Sequence, residues 1–558
     1  MSAPFKMLDD QASITGNRDV QSLQYVPKIF MKSFFGEDHF YYRPLVSVTY
    51  ALEYRFFGLN YFFFNLVNIL FHLATALVVF RWISLLLKST NIGFWAAFLF
   101  AIHPVQVEAV GNIAGRSILL CAFFELSALL FFTLFAQKEK IIYFVLSLSS
   151  FVLALLAKES AACFPLIVFA HVMILSRAEK GRFSKAIKLS LPFFIVLGSY
   201  LVLRFTLKIS NVAFVIDIKD YFCGILTFMR SLGTYARILV FPVDLHFDRI
   251  TPVIYNVLSP DALITFAAAM GMMILLVKFF RRIRSEVLFL IAFIFLRFLP
   301  LSQIIPIRSQ AGYICIPDHF LYVPSVGFLT LMILLFGFCV KVGVEKKYVT
   351  RFFMNTLAVG WIIFLVLTTI EQNIYATNEV AMYRRSLSLT PTHVRMDIAL
   401  GLSYALDKNF EGAETYFQKA LDYEPANTRA RLGLGTALLD QNRCWDGLAE
   451  YDKITDAANF KDLMEGNKNL AYRKLIMRYE AMLKNDPANA RIYYSLGVVY
   501  AKKGEFEKAI EYFKDTLKRE PGFENAQANL CNSYKALGRD SEAKECFLNL
   551  EKKEKRIK

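Results

Sequence analysis

Between residues 61 and 372 the chain carries ten apolar runs, at about 61–80, 92–107, 117–136, 141–157, 160–176, 189–207, 260–280, 287–305, 319–340 and 352–372. Each approaches the roughly 20 residues a helix needs to cross hydrocarbon, the second and fourth being short. Of all 558 residues 56% are hydrophobic, with 54 Phe and 27 Tyr, too apolar for a soluble multidomain chain. The reading is all-α. A polytopic helical membrane domain at 61–372 follows a first extracytoplasmic loop (1–60) with an acidic pair and an amphipathic helix, and precedes a polar arm at 376–558.

The net charge of +16 is unevenly placed. Residues 376–558 hold 30 Lys and Arg against 27 Asp and Glu, or +3, whereas residues 1–375 hold 33 against 20, or +13. A nucleic-acid binder would concentrate its excess in the polar arm, so no nucleic-acid partner is indicated. The excess lies instead in alternate short loops: Lys88; Lys138 and Lys140; Arg177, Lys180, Arg182, Lys185 and Lys188; Lys278, Arg281, Arg282 and Arg284; and Lys341, Lys346, Lys347 and Arg351. The positive-inside rule puts these loops in the cytoplasm. By parity residues 1–60, 103–116, 157–160, 208–259, 306–318 and the arm lie outside. Translocating residues 1–60 needs an earlier span, so a further helix upstream of Met1 is expected. The eight cysteines show no CxxC and no metal spacing, which indicates neither a disulfide framework nor a zinc site.

The arm has a period. Pro391 and Pro425 stand 34 residues apart, as do Pro487 and Pro521. Ten residues after the prolines come Gly401, Gly435, Gly497 and Cys531; 22 after come Ala413, Gly447, Ala509 and Ala543; then follow Phe417, Tyr451, Phe513 and Phe547. A small residue where two helices cross, an aromatic behind it and a terminating proline make a tetratricopeptide repeat. A degenerate repeat is expected near 456–484. Such an α-solenoid presents a concave face to peptides, or simply caps the membrane part.

Polar residues collect at one edge of the spans. Asp9 and Asp10 are adjacent carboxylates that could also be merely solvated, and Arg43 in "FYYRPL" suits a phosphate or an interface anchor. Asn65, Asn68 and His72 share a helix face and suit helix–helix hydrogen bonding. In "HPVQVEAVGNIAGR", Glu108, Asn112 and Arg116 follow at i, i+4 and i+8, which predicts one polar stripe or a salt-bridged helix end. Lys158 and Glu159 sit in "LLAKES", Asp244, His246, Asp248 and Arg249 in "FPVDLHFDR", and Asp318, His319 and Tyr322 in "PDHFLYVPS". Together they suit a phosphate-linked amphiphile: cations hold the phosphate and a carboxylate takes a proton from an incoming hydroxyl. No phosphate loop or nucleophile elbow occurs.

The ordered set "LDDQASITGN", "YYRPLVSV", "NILFH", "HPVQVEAV", "AKESA" and "HFLYVPSVGF", with the repeat tail, resembles the transmembrane and tetratricopeptide repeat-containing glycosyltransferases, relatives of the protein O-mannosyltransferases with the membrane-embedded GT-C fold. The resemblance covers nearly the whole chain. It implies about 10–11 spans, a polyprenyl-phosphate sugar donor such as a mannosyl donor, and inverting transfer to an acceptor hydroxyl outside the membrane, with a protein or peptide acceptor on the repeat arm. By the same resemblance Asp9 is the general base, supported by Asp10, with a divalent metal as an option. Arg43 matches the RP motif, His103 and Glu108 the His-Pro…Glu motif, and Lys158 and Glu159 the Lys-Glu motif. Arg43, His103, Glu108, Arg116, Lys158, Glu159, His246, Arg249, His319 and Tyr322 are the donor-binding candidates. Gln106 replaces a frequent second His, and Asp318-His319 a more usual Glu-Arg, which would leave His319 or His246 to meet the phosphate. The implied compartment is the periplasmic face of a bacterial inner membrane, or the endoplasmic reticulum lumen in a eukaryote. A non-catalytic repeat scaffold is the rival. A lipid or glycan transporter is another, for which Glu125, His171, Arg204 and Arg297 in the spans give footing.

Overall fold

The computed structural model describes residues 10–34, 41–209, 218–303, 308–310, 312–344, 348–455 and 460–557. They form two compact units, Met1–Met396 and Asp397–Lys558.

In the first unit each of the ten apolar runs is wholly or partly helical over its described residues. Among the described residues six helices are long and apolar enough to cross a membrane: Tyr61–Leu87, Ile113–Lys138, Arg182–Thr206, Pro260–Phe279, Pro324–Lys341 and Phe352–Thr377. Thr90–Ile102 and Pro104–Val110 make a seventh, bent by 53°. The bend has a local cause, because Pro104 has no amide hydrogen to continue the helix. Ile141–Ala157 and Glu159–Leu175 are apolar but shorter. The run at 287–305 is helical only over Ser285–Phe298, then tightens into a 3₁₀ turn at Leu299–Leu301, where Pro300 stands.

The stretch expected as a loop at 208–259 holds a further helix, Ile218–Val240. Its apolar residues line one face, with Phe228, Tyr235, Ile238 and Leu239 buried, so it escapes a search for continuous apolar runs. Beside it lies a small antiparallel sheet: β1 (Ile250–Pro252), β2 (Arg308–Gln310) and β3 (Tyr313–Cys315), in the order β1-β3-β2 with Ile250 opposite Cys315. The core of this unit is aromatic. Phe193 packs within about 6 Å of Phe132, Phe144, Phe151 and Phe164, mostly edge to face.

The second unit is a run of antiparallel helix pairs, among them Phe410–Tyr423 with Thr428–Asp440 and Ala490–Lys503 with Phe506–Arg519. The small residues have the predicted reason. A methyl group added at Gly401, Gly435 or Gly497 would sit 2.7, 2.5 and 2.5 Å from the rings of Phe417, Tyr451 and Phe513. Glycine lets the two helices cross at that distance. In the last pair Cys531 takes the glycine's slot and forms a disulfide with Cys546, beside Phe547. The cysteine spacing indicates no disulfide. The bond joins two helices, and a separation of 15 residues matches no local motif.

Candidate functional site

The first segment is bolted to the body. Asp10 is buried and its carboxylate accepts from the Ala114 N–H at 2.9 Å. The Tyr50 hydroxyl donates to the Ile113 carbonyl at 2.9 Å, and the Asn68 amide to that of Asn112 at 2.9 Å. The turn they grip is tight, since a Cβ on Gly115 would fall 2.0 Å from the Ala109 carbonyl oxygen. This turn corrects the expected stripe. The helix breaks after Val110, a 3₁₀ turn occupies Ile113–Gly115, and a new helix begins at Arg116, so Glu108 and Arg116 part company. Asp9 lies outside the described residues.

Arg116 is wholly buried. Its guanidinium meets the Glu53 carboxylate and the Asn68 side-chain oxygen, donates to Thr49 Oγ1 at 3.2 Å and to the Phe64 carbonyl at 2.8 Å, and stacks on Tyr50. It knits helices together rather than facing a ligand. His103 is likewise internal. A carbonyl only accepts, so its Nε2 donates to Leu239 at 3.1 Å while Nδ1 accepts from Val105. Tyr322, also buried, hydrogen-bonds His72 Nδ1 at 2.7 Å.

Arg43, Lys158 and Glu159 come together at one edge. Arg43 makes a two-pronged pair with Glu159, at 2.7 and 3.2 Å, and its plane lies 4.3 Å from the Tyr41 ring centre. A cleft of about 270 Å³ opens beside it, lined also by Asn17, Asp19, Lys32 and Ser33. Lys158 has neither a hydrogen bond nor an ion pair from its ammonium to any described residue. Burial first, and then the Arg43 charge, lower its pKa to about 8. Among the described residues, Arg43 and Lys158 set two cations against the one carboxylate of Glu159, a positive charge in excess.

The other candidates form a second cluster. The Glu108 carboxylate accepts from the His319 backbone N–H at 2.8 Å and lies 2.9 Å from His319 Nδ1. Asp318 receives Arg249 Nε at 2.8 Å, and the Asp244 carbonyl receives His246 Nδ1 at 2.8 Å. Asp248 pairs with Arg395 at 2.8 Å, and His393 donates to its carbonyl at 2.6 Å. Burial pushes the Asp248 carboxyl up, but Arg395 and His393 outweigh it and hold it below the usual range. Burial would also lower the Arg249 pKa, yet Asp318 raises it. A cleft of about 470 Å³ adjoins this cluster, reaching Glu108, His246, Asp318, Gln372 and Arg385. Among the described residues no three His, Cys, Asp or Glu side chains gather to hold a metal. Tyr41, Arg395 and His393 take part in these arrangements without marking themselves in the sequence. Only their three-dimensional neighbours reveal them.

Membrane-length helices carrying these charged turns, followed in the sequence by a repeat solenoid, define a multi-pass membrane protein of the tetratricopeptide-repeat type. Residues 404–460 and 490–523 each match a tetratricopeptide repeat family model. The chain is a relative of proteins named protein O-mannosyl-transferase. One from Caenorhabditis elegans is 27% identical over 75% of this chain and 60% of its own length. Protein O-mannosyl-transferase TMTC3 of Homo sapiens is 24% identical over 97% and 61%, and TMTC4 of Mus musculus 25% over 74% and 63%. The chain thus spans about 60% of the length of these relatives. Among solved structures, a crystal structure of MamA protein aligns with 29% of this chain and 92% of its own at 24% identity, with a TM-score of only 0.16.

Proposed function

We propose that the protein is a membrane glycosyltransferase that moves mannose or a similar hexose from a polyprenyl phosphate to a Ser or Thr hydroxyl of a protein, at the extracytoplasmic face. The observation that carries this reading is Lys158, a half-buried ammonium beside Arg43 that has no partner among the described residues. The one excess positive charge there matches the single negative charge of a phosphodiester, and a charge-assisted hydrogen bond from Lys158 would hold it. The Arg43–Glu159 pair keeps that carboxylate from repelling the phosphate. At 4 Å two like charges cost about 1 kcal/mol in water and about 4 kcal/mol at an effective dielectric of 20.

Asp10 is committed to the Ala114 amide, which leaves Asp9 as the proposed base for the acceptor hydroxyl. The membrane body is taken as residues 61–372, and the repeats from 376 onward as the holder of the polypeptide acceptor. The Cys531–Cys546 disulfide supports an oxidising compartment for the arm. That agrees with the basic loops lying on the cytoplasmic side. The test is incubation of the purified full-length protein with labelled polyprenyl-phosphate mannose and a Ser/Thr peptide. Transfer that Asp9→Asn abolishes supports the reading; no transfer with any polyprenyl-phosphate sugar overturns it.

A further inference from the structure

Glu125 and Arg297 form an ion pair at 3.0 Å, both side chains more than nine-tenths buried. Charges within a membrane body are costly, and a buried pair is a poor source of stability unless its geometry is complete. Here it is not complete, because Glu125 Oε1 and Arg297 Nε make no hydrogen bond. The pair's outward contacts are more telling. Arg297 Nη1 donates to the Ser160 carbonyl at 2.9 Å and reaches Cys163 Sγ at 3.2 Å. From the neighbouring helix Cys121 Sγ lies 3.8 Å from both the Lys158 carbonyl oxygen and Ser160 Oγ. Two helices therefore grip, from behind, the very turn that presents Lys158.

We propose that Arg297, held in place by Glu125, is a positioning residue that fixes the Lys158–Ser160 turn and so aims the Lys158 ammonium at the donor phosphate. This rests on the glycosyltransferase reading for its consequence, but the positioning itself can be observed without activity. The charged and titratable groups around Lys158 are Arg43, Glu159, Cys121 and Arg297; of these Arg43 and Arg297 oppose its protonation and Glu159 favours it. Removing Arg297 relaxes the turn and takes away one opposing charge.

The experiment uses the full-length protein in detergent or nanodiscs, with Glu125→Gln/Arg297→Gln and Arg297→Lys beside the wild type. Acylation of the Lys158 amine is followed against pH by mass spectrometry, and the KM for polyprenyl-phosphate mannose is measured in parallel. In the double variant the labelling midpoint is expected to move upward from about 8, as the turn loosens and the Arg297 charge is lost. Its donor KM is expected to rise about tenfold, the value of one lost hydrogen bond. Arg297→Lys keeps the charge and should hold the midpoint near that of the wild type while losing part of the KM. A double variant with wild-type labelling and wild-type KM would overturn the proposal, and so would one whose only defect is a lower Tm. If the wild type transfers no sugar, the glycosyltransferase reading fails, while the labelling curves still decide whether Arg297 sets the Lys158 turn.

Discussion

The two charged clusters of the membrane unit both set carboxylates against cations and differ in how completely those charges are paired. Around Glu108, Asp248 and Asp318 each carboxylate has its cation or its amide: His319 for the first, Arg395 for the second, Arg249 for the third. Around Arg43 and Glu159 one cation, Lys158, is left over among the described residues. A closed network spends its charge on holding loops that are far apart in sequence. An open one keeps charge available, at a cost to the fold. The contrast separates two kinds of polar residue that look alike in the sequence, and it supports the proposal that the donor binds at the open cluster.

The comparison can be broken at several points. The largest effect is expected for Lys158→Ala, which should lower sugar transfer by about 10²-fold or more, the usual loss of a charged contact to the reacting group. Its stability should be unchanged or raised, because burial and Arg43 already disfavour the charged lysine. A circular-dichroism melt beside the transfer assay checks both halves. Glu108→Gln should do the opposite, costing about 1–3 kcal/mol of stability by weakening the His319 contacts. Transfer would then fall only with the folded fraction. If this variant melts like the wild type but loses transfer, the closed cluster is functional after all.

A pH series sharpens the contrast further. Lys158 is protonated below about 8 and neutral above it, so donor binding should be full at neutral pH and lost as the pH rises through that value. A binding profile flat from pH 7 to 10 would remove Lys158 from the site. The smallest effect concerns the repeat unit. Asp397 is buried, and that burial raises its pKa to about 7, with Lys419 opposing and Asp422 assisting. Its folded pKa is raised, so its contribution to stability is full below the unfolded value near 3.8 and disappears as the pH climbs through 7. Asp397→Asn should therefore slow hydrogen exchange in the Phe410–Tyr423 helix at pH 8 and leave it unaltered at pH 4.

What the sequence revealed follows the range of the interaction. The glycine at proline-plus-ten and its aromatic partner lie 16 residues apart (Gly497 and Phe513), so a repeat register suffices to pair them. Apolar runs likewise announce helices, because burial in lipid demands continuous stretches. Arg43 and Glu159 are 116 residues apart, and Glu108 and His319 are 211. No spacing rule joins such residues; their place at one edge of the spans and the ordered resemblance to a family single them out without saying which of them meet. Spacing misled at Glu108 and Arg116, where the close approach of Gly115 to the Ala109 carbonyl breaks the helix that the i, i+4, i+8 count assumes. It also concealed that Arg116 and His103 are internal ties, since burial is a property of the packed helices. The amphipathic helix Ile218–Val240 was hidden for a related reason, its apolar face being one stripe rather than a run.

The most direct test of the open-cluster assignment is equilibrium binding of a labelled polyprenyl-phosphate sugar to full-length Lys158→Ala and His319→Ala. The account predicts that Lys158→Ala loses binding by at least about tenfold while His319→Ala binds like the wild type. Loss of binding in His319→Ala with Lys158→Ala unaffected would contradict it.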